Sequence, residues 1–185
     1  NTEGLSRKDY PTVDGLRASE VTLDNVLIPA SARLGAEGTA SQTLNAVINR
    51  GILAISAEAV GAMEALYQST IDYTKQREQF DHPLSEFQVV KHRLTEMFIE
   101  YNLAKSLCMK ATMLLNQHSE DAQRHIHALK FLIGKTSRFV GQNAVQLHGG
   151  MGMTEDLAIA HYFKRLMMID ATFGHTDIHL EAFVQ

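Results

Sequence analysis

The chain has 185 residues, 45% of them hydrophobic and 21% charged, with three prolines and no tryptophan, a composition that indicates one helix-rich globular domain plus a fragment of another. A net charge of −4 gives neither nucleic acid nor an anionic membrane the basic face it needs, so any anion must be bound locally. The single Cys108 excludes an internal disulfide and, set between Leu107 and Met109 in a helical pattern, reads as a small packed hydrophobe in a reducing, cytoplasmic setting.

The opening, NTEGLSRKDYPTVDG, lacks the basic-then-apolar layout of a signal peptide, and no later apolar run reaches membrane-spanning length. It reads as the middle of a protein. Residues 16–28, LRASEVTLDNVLI, alternate roughly at period two through Leu16, Ala18, Val21 and Leu23, which predicts one or two strands ending at Pro29. So short a β segment cannot stand alone. Residues 1–36 are therefore expected to be the tail of a β domain with a linker, and residues 37–185 a helical domain.

Thr39 or Ser41 is placed to cap a long helix that runs to Gln76 and is rich in small residues. Gly51 and Gly61 inside it each cost on the order of 1 kcal/mol relative to alanine, and close helix packing is the expected compensation. Pro83 ends the next short element and Ser85 is placed to cap the second helix. Phe87, Val90, Leu94, Met97, Tyr101, Leu107 and Leu114 then form one apolar face over 86–117. A third helix is expected over 121–147, with Ile126, Leu129, Ile133, Phe139 and Val140 inward, and shorter helices over 155–168 and from Thr176 onward. Three helices of about 30 residues, each roughly 45 Å long, suit an antiparallel bundle, so the fold class is mainly α with a short N-terminal β segment.

Some motifs are decoys. LIGKTS (132–137) ends like a phosphate-binding loop, but Leu129 stands where the earlier glycine belongs and no strand precedes it. GGMGMTE likewise follows a helix and lacks the last glycine of a dinucleotide fingerprint. No glutamate has a histidine three residues on, which removes the di-iron pattern of helical bundles. His175 and His179, with Asp177 between, could share a helix face but lack a third ligand, and His125 and His127 point to different sides of their helix. No metal is expected.

Three polar stretches remain, each at a helix end: REQFDHPLSEFQ (77–88), QLHGGMG (146–152) and DATFGHTDIH (170–179). Taken singly, Arg77 is a surface cation, Gln88 a solvated position and Gly149–Gly150 a helix stop. Together and in this order they resemble the C-terminal helical domain of the acyl-CoA dehydrogenases. The family pattern Arg-x-x-Phe-Gly followed by Phe-Gln is met by Arg77, Phe80, Phe87 and Gln88, and Gln-x-x-Gly-Gly-x-Gly by Gln146, Gly149, Gly150 and Gly152. The resemblance covers nearly the whole chain.

What it implies is an FAD-dependent enzyme that introduces an α,β double bond into an acyl-CoA thioester. In that family FAD lies extended across a subunit interface, and Arg77, Phe80, Phe87, Gln88, Gln146, Gly149 and Gly150 would reach the cofactor bound mainly to a neighbouring subunit. Arg77 offers a permanent charged fork for the pyrophosphate, Phe80 an apolar wall, the two glutamines neutral amide bonds, and the glycines an open approach to backbone amides. The chain departs from the family pattern at two sites. Asp81 replaces the family glycine after Phe80, and the family base positions hold Phe173, in the C-terminal turn, and Asn49, on the first bundle helix before Arg50. Neither can accept a proton at neutral pH. The nearest carboxylates in sequence are Asp170 and Asp177.

The implied partners are an acyl-CoA substrate and either a homodimer or tetramer, or a hetero-oligomer with a base-bearing homologue, as in the small subunits of pimeloyl-type and other heteromeric acyl-CoA dehydrogenases. In the hetero-oligomer this chain would be a non-catalytic structural subunit. A fragment of this length is expected to hold FAD weakly if at all and to be inactive alone, because the flavin ring in the family rests on the middle β domain.

Overall fold

A computed structural model describes residues 2–185. Two compact units divide the chain, the first ending at Ile48 and the second covering Asn49–Gln185. In the first, strands β1 (Leu5–Pro11) and β2 (Arg17–Leu23) form an antiparallel pair with Leu5 opposite Leu23 and Pro11 opposite Arg17. Only β2 coincides with the alternation read from the sequence, and it stops six residues before Pro29. β1 was hidden because its sequence, LSRKDYP, carries polar residues on both faces. Ser19 Oγ donates across the pair to Asp9 Oδ1 at 2.5 Å. Leu27 and Leu34, beyond the strands, are about nine-tenths exposed.

Five helices complete the chain: α1 (Ala40–Gln76), α2 (Gln88–Asn116), α3 (Ala122–His148), α4 (Ala158–Ala171) and α5 (Thr176–Val184). Their burial follows helical spacing. On α1 the buried set Ile52, Ser56, Ala59, Met63, Leu66 and Thr70 recurs every three or four residues. By length and composition alone α1 could cross a membrane, which a count of contiguous apolar residues does not reveal. Its apolar residues are instead shared with the bundle core of α2, α3 and α4.

Helix α3 is central and packs against α2, α4 and α5. Ile126, Leu129, Ile133 and Val140 have no exposed surface, as their period requires, while Phe139 packs at the core margin. GKTS lies inside this helix, where Thr136 Oγ1 donates back to the Leu132 carbonyl at 2.9 Å. Gly134 allows α3 to approach the α4–α5 turn: a Cβ there would stand 2.0 Å from Thr176 Oγ1 and 2.3 Å from Asp170 Oδ1. Close approach also accounts for Gly51, whose added Cβ would stand 2.8 Å from the Phe173 ring. It does not account for Gly61, which is exposed with nothing within 4 Å. The cap expected from Ser85 is not made: Ser85 sits in a short 3₁₀ turn, Leu84–Glu86, and Phe87 occupies the N-cap of α2 without a side-chain bond. Cys108 is buried and free, and burial pushes its thiol up.

Candidate functional site

The end of α1 runs into a two-residue hairpin. Strands β3 (Glu78–Gln79) and β4 (His82–Pro83) pair antiparallel, and the Leu84 N–H closes the loop onto the Arg77 carbonyl at 2.8 Å. Its tip, Phe80 and Asp81, has φ of 56° and 64°. Positive φ at both central residues is the turn whose twist matches the flanking strands, and it favours Gly, Asn or Asp. Asp81 therefore preserves the backbone that glycine would give. Phe80 has no such excuse: a bulky residue in this region is strained, and its ring is 85% exposed. It meets Phe87 edge to face, centroids 6.3 Å apart.

The end of α3 approaches the same place. Arg77, Gln146, Gly149 and Gly150, far apart in sequence, line one groove of about 810 Å3 together with Tyr73 and His148. Among the described residues none pairs with the Arg77 guanidinium, which is exposed. Phe80, Phe87 and Gln88 are not part of the groove wall; Phe80 stands at the hairpin tip, Phe87 at the N-cap of α2, and Gln88 opens α2. Gln146 also borders a smaller cleft where Arg93 donates to Asn143 Oδ1 at 2.8 Å.

The three glycines after α3 differ in what they do. Gly149, at φ 61° and ψ −141°, holds a conformation that only glycine adopts readily, and its N–H donates to the Gln146 carbonyl. Gly152 is buried, and a Cβ would lie 2.7 Å from the Val145 carbonyl oxygen. Gly150 has neither reason to be glycine, since a Cβ would meet nothing within 4 Å. Its missing side chain keeps open the groove it lines.

Tyr73 and His148 were not singled out from sequence. The two rings stack at 4.3 Å, and the tyrosine hydroxyl donates to the His148 carbonyl at 3.3 Å, tying the end of α1 to the end of α3. His148 Nδ1 lies 2.8 Å from the Ala144 carbonyl, which can only accept, so Nδ1 carries the proton. Burial lowers the pKa of this ring, opposed by the same carbonyl bond, and favours the neutral form with Nε2 bare. The seven-residue spacing from Tyr73 to Phe80 and the position of His148 before Gly149 place both beside the motifs, and that adjacency was the available signal.

The second constellation is the turn between α4 and α5. The Phe173 ring rests on α1 over Gly51, two residues after Asn49, so Phe173 and Asn49, the positions that the resemblance singles out for a base, belong to neighbouring segments. The two carboxylates nearest in sequence lie elsewhere. Asp170 is 6% exposed; its Oδ1 accepts from Thr176 Oγ1 of α5 at 2.7 Å and its Oδ2 lies 3.5 Å from Arg138 of α3. Asp177 lines a separate cleft with Arg138 and Asp170, on the side of the turn that faces α2 and α3. His175 and His179 diverge: His175 is exposed at 3.9 Å from Asp170 Oδ2, while His179 is buried against His127, ring nitrogens 2.9 Å apart.

Comparison with known proteins gives the family and the fold. The family model described as "Acyl-CoA dehydrogenase, C-terminal domain" matches residues 38–185. A probable acyl-CoA dehydrogenase, YngJ of Bacillus subtilis (strain 168), is 28% identical over 181 residues, covering 96% of this chain and 47% of its own. Among solved structures, PigA with FAD and proline superposes with a TM-score of 0.92 at 26% identity, over 99% of this chain and 48% of that one. A variant of the Tcur3481–Tcur3483 steroid ACAD superposes at 0.87 and 27% identity, over 100% and 48%. The chain spans about half the length of the curated relatives it matches.

Proposed function

The chain belongs to the acyl-CoA dehydrogenase family, as its C-terminal domain, and from that membership we propose that it forms the cofactor-facing and subunit-joining part of an FAD-dependent enzyme that desaturates an acyl-CoA thioester. One observation carries the reading: Arg77, Gln146, Gly149 and Gly150 converge on a single groove with the guanidinium unpaired and Gly150 open. That donor set fits a dinucleotide. Arg77 would hold the pyrophosphate through charge-assisted bonds, Gln146 would bond neutral acceptors, and the exposed Phe80 would wall the adenosine end. Bound FAD supplies the hydride acceptor; the residues named here bind and orient it.

Gln88 stands at the start of α2, outside the groove wall, and its proposed cofactor contact would be made from a neighbouring subunit's side of the interface. The single buried Cys108 supports a reducing, cytoplasmic location. The test is purification together with the natural N-terminal half. Visible flavin absorbance is expected there, and its absence from that protein, with the fold intact, would refute the reading.

A specific observation favours a second reading, in which this chain is the non-catalytic subunit of a heteromeric enzyme. By the resemblance the base positions fall on Phe173 and Asn49, and Asp170, the nearest carboxylate before Phe173 in sequence, is already bonded to Thr176. A base must lie within hydrogen-bond reach of the proton it removes. Turnover only on co-expression with a base-bearing homologue would establish this reading. Turnover by the homo-oligomer that survives Asp170→Asn and Asp177→Asn would exclude it.

A further inference from the structure

The α4–α5 turn is held from inside the bundle by groups that the cofactor groove does not use. Phe173 has φ 59° and Gly174 φ 104°. A phenylalanine in the left-handed region is strained and persists only where its surroundings over-determine it. Those surroundings are specific. Lys130, on the apolar arc of α3 and with no exposed surface, donates from Nζ to the Asp170 carbonyl at 2.8 Å and to the Gly174 carbonyl at 2.9 Å. One ammonium thus ties the last turn of α4 to Gly174, the second of the two left-handed residues.

The carbonyl between is held separately. His179 Nε2 lies 2.9 Å from the Phe173 oxygen, and His179 Nδ1 lies 2.9 Å from His127 Nδ1. A carbonyl only accepts, so Nε2 of His179 carries a proton. In a neutral ring its Nδ1 is then bare, and the proton between the two rings belongs to His127. The hydrogens therefore run in one direction, from His127 to His179 to the Phe173 carbonyl. We propose that Lys130, His127 and His179 are positioning residues forming a proton-sensitive lock on residue 173, closed while the His179 imidazole is neutral and released when acidification places a second proton on His179.

The charged and titratable groups facing the His179 ring are His127 and Lys130 from α3 and Asp170 from α4; α1 meets the turn through Gly51. A proton added to His179 Nδ1 sets it against the N–H of His127. If His127 moved its own proton to Nε2, the new imidazolium would still stand beside the Lys130 ammonium. Burial, with that ammonium, already holds the His179 pKa down, and burial does the same for His127. The lock is read from the hydrogen bonds alone; that position 173 faces a thioester rests on the proposed function.

The test uses the whole chain with 4-fluorophenylalanine placed at position 173 and followed by fluorine NMR, with nitrogen NMR of the imidazoles beside it. Neither readout needs flavin or thioester, so their failure and that of the dehydrogenase reading are separable. One fluorine resonance is expected at pH 8, with a second growing in as the pH falls to 5, and His179 should carry its proton on Nε2 and His127 on Nδ1. Lys130→Met should show the second resonance already at pH 8 while helicity is retained. A single resonance unchanged from pH 8 to 5, a His179 proton on Nδ1 at pH 8, or an unmoved resonance in Lys130→Met would each overturn the lock. The first two measurements leave Lys130, His127 and His179 in place and do not depend on the Lys130→Met variant folding.

Discussion

Gly150→Ala separates a glycine kept for a ligand from glycines kept for the fold. A Cβ at position 150 would meet nothing within 4 Å of the chain itself, so the folded state loses no contact, and the unfolded chain loses entropy. Such a change is neutral or stabilises by about 0.4–1 kcal/mol. The new methyl, however, stands at the wall of the Arg77–Gln146 groove. If a cofactor backbone passes there at van der Waals distance, the extra group costs about 1–3 kcal/mol, as overpacking does elsewhere, or roughly 5- to 150-fold in affinity. Gly152→Ala is the control: its Cβ would lie 2.7 Å from the Val145 carbonyl oxygen, and the fold must shift to admit it. With the full-length protein, thermal unfolding of the FAD-free form and FAD titration by flavin fluorescence give the two readouts. Gly150→Ala should keep its Tm and lose affinity, while Gly152→Ala should lose Tm. Unchanged FAD affinity in a well-folded Gly150→Ala protein would refute the assignment of that glycine to the cofactor.

Arg77→Ala should weaken FAD binding by tenfold or so more than Gln88→Ala in the full-length protein, since a charge-assisted bond contributes about 1.5–3 kcal/mol against about 1 for a neutral one; equal retention by both would make Arg77 only a surface residue. Gly134→Ala should lower Tm by roughly 3–10 °C, because its Cβ would stand 2.0 Å from Thr176 Oγ1 and 2.3 Å from Asp170 Oδ1 and overpacking costs about 1–3 kcal/mol; an unmoved Tm would show that the turn yields freely. Stability should fall as pH drops below about 6.5, because burial lowers the pKa of His148 in the folded state and the unfolded chain binds the proton first; that contribution is lost between the ordinary histidine pKa and the lower folded one. His148→Phe, which keeps a ring against Tyr73, should flatten that part of the Tm-against-pH curve, each such ring adding up to about 1.4 kcal/mol per pH unit, and an unchanged slope would count against a neutral His148.

The helices were legible because their apolar residues obey the helical period and the bundle honours it: Ile126, Leu129, Ile133 and Val140 are fully buried, as their spacing requires. The groove was legible through motifs, and Arg77, Gln146, Gly149 and Gly150 do meet. What escaped depends on partners distant in sequence. Lys130 interrupts an apolar arc and would ordinarily be assigned to solvent, since buried lysine is rare without partners. Its acceptors are carbonyls 40 and 44 residues away. Its place four residues after Ile126 and three before Ile133 was the one local sign that it points inward. In the sequence His179 pairs with His175 as a metal candidate, and the periodicity of α5 cannot show that α3 brings His127 to its ring. The hairpin after Arg77 was also obscure, because Phe-Asp is an uncommon pair for a turn with two positive φ values.

The two constellations are joined by α3, and the join bears on which reading of the chain is economical. The C-terminal end of this helix opens the groove through Gln146, His148 and Gly149, while its middle holds the α4–α5 turn through Lys130 and Gly134. If the turn had only to link two helices, a strained Phe173 with three of its neighbouring carbonyl and carboxylate groups bonded from within would be a needless expense. The fold instead keeps residue 173 at one place on α1, over Gly51, although that residue can carry no proton. A side chain held so firmly without chemistry of its own is suited to shaping a surface. Under the proposed heteromeric reading, that is what a subunit contributing walls and cofactor contacts to a partner's reaction would require, and the absence of a carboxylate at 173 and 49 would then be compatible with the groove at Arg77.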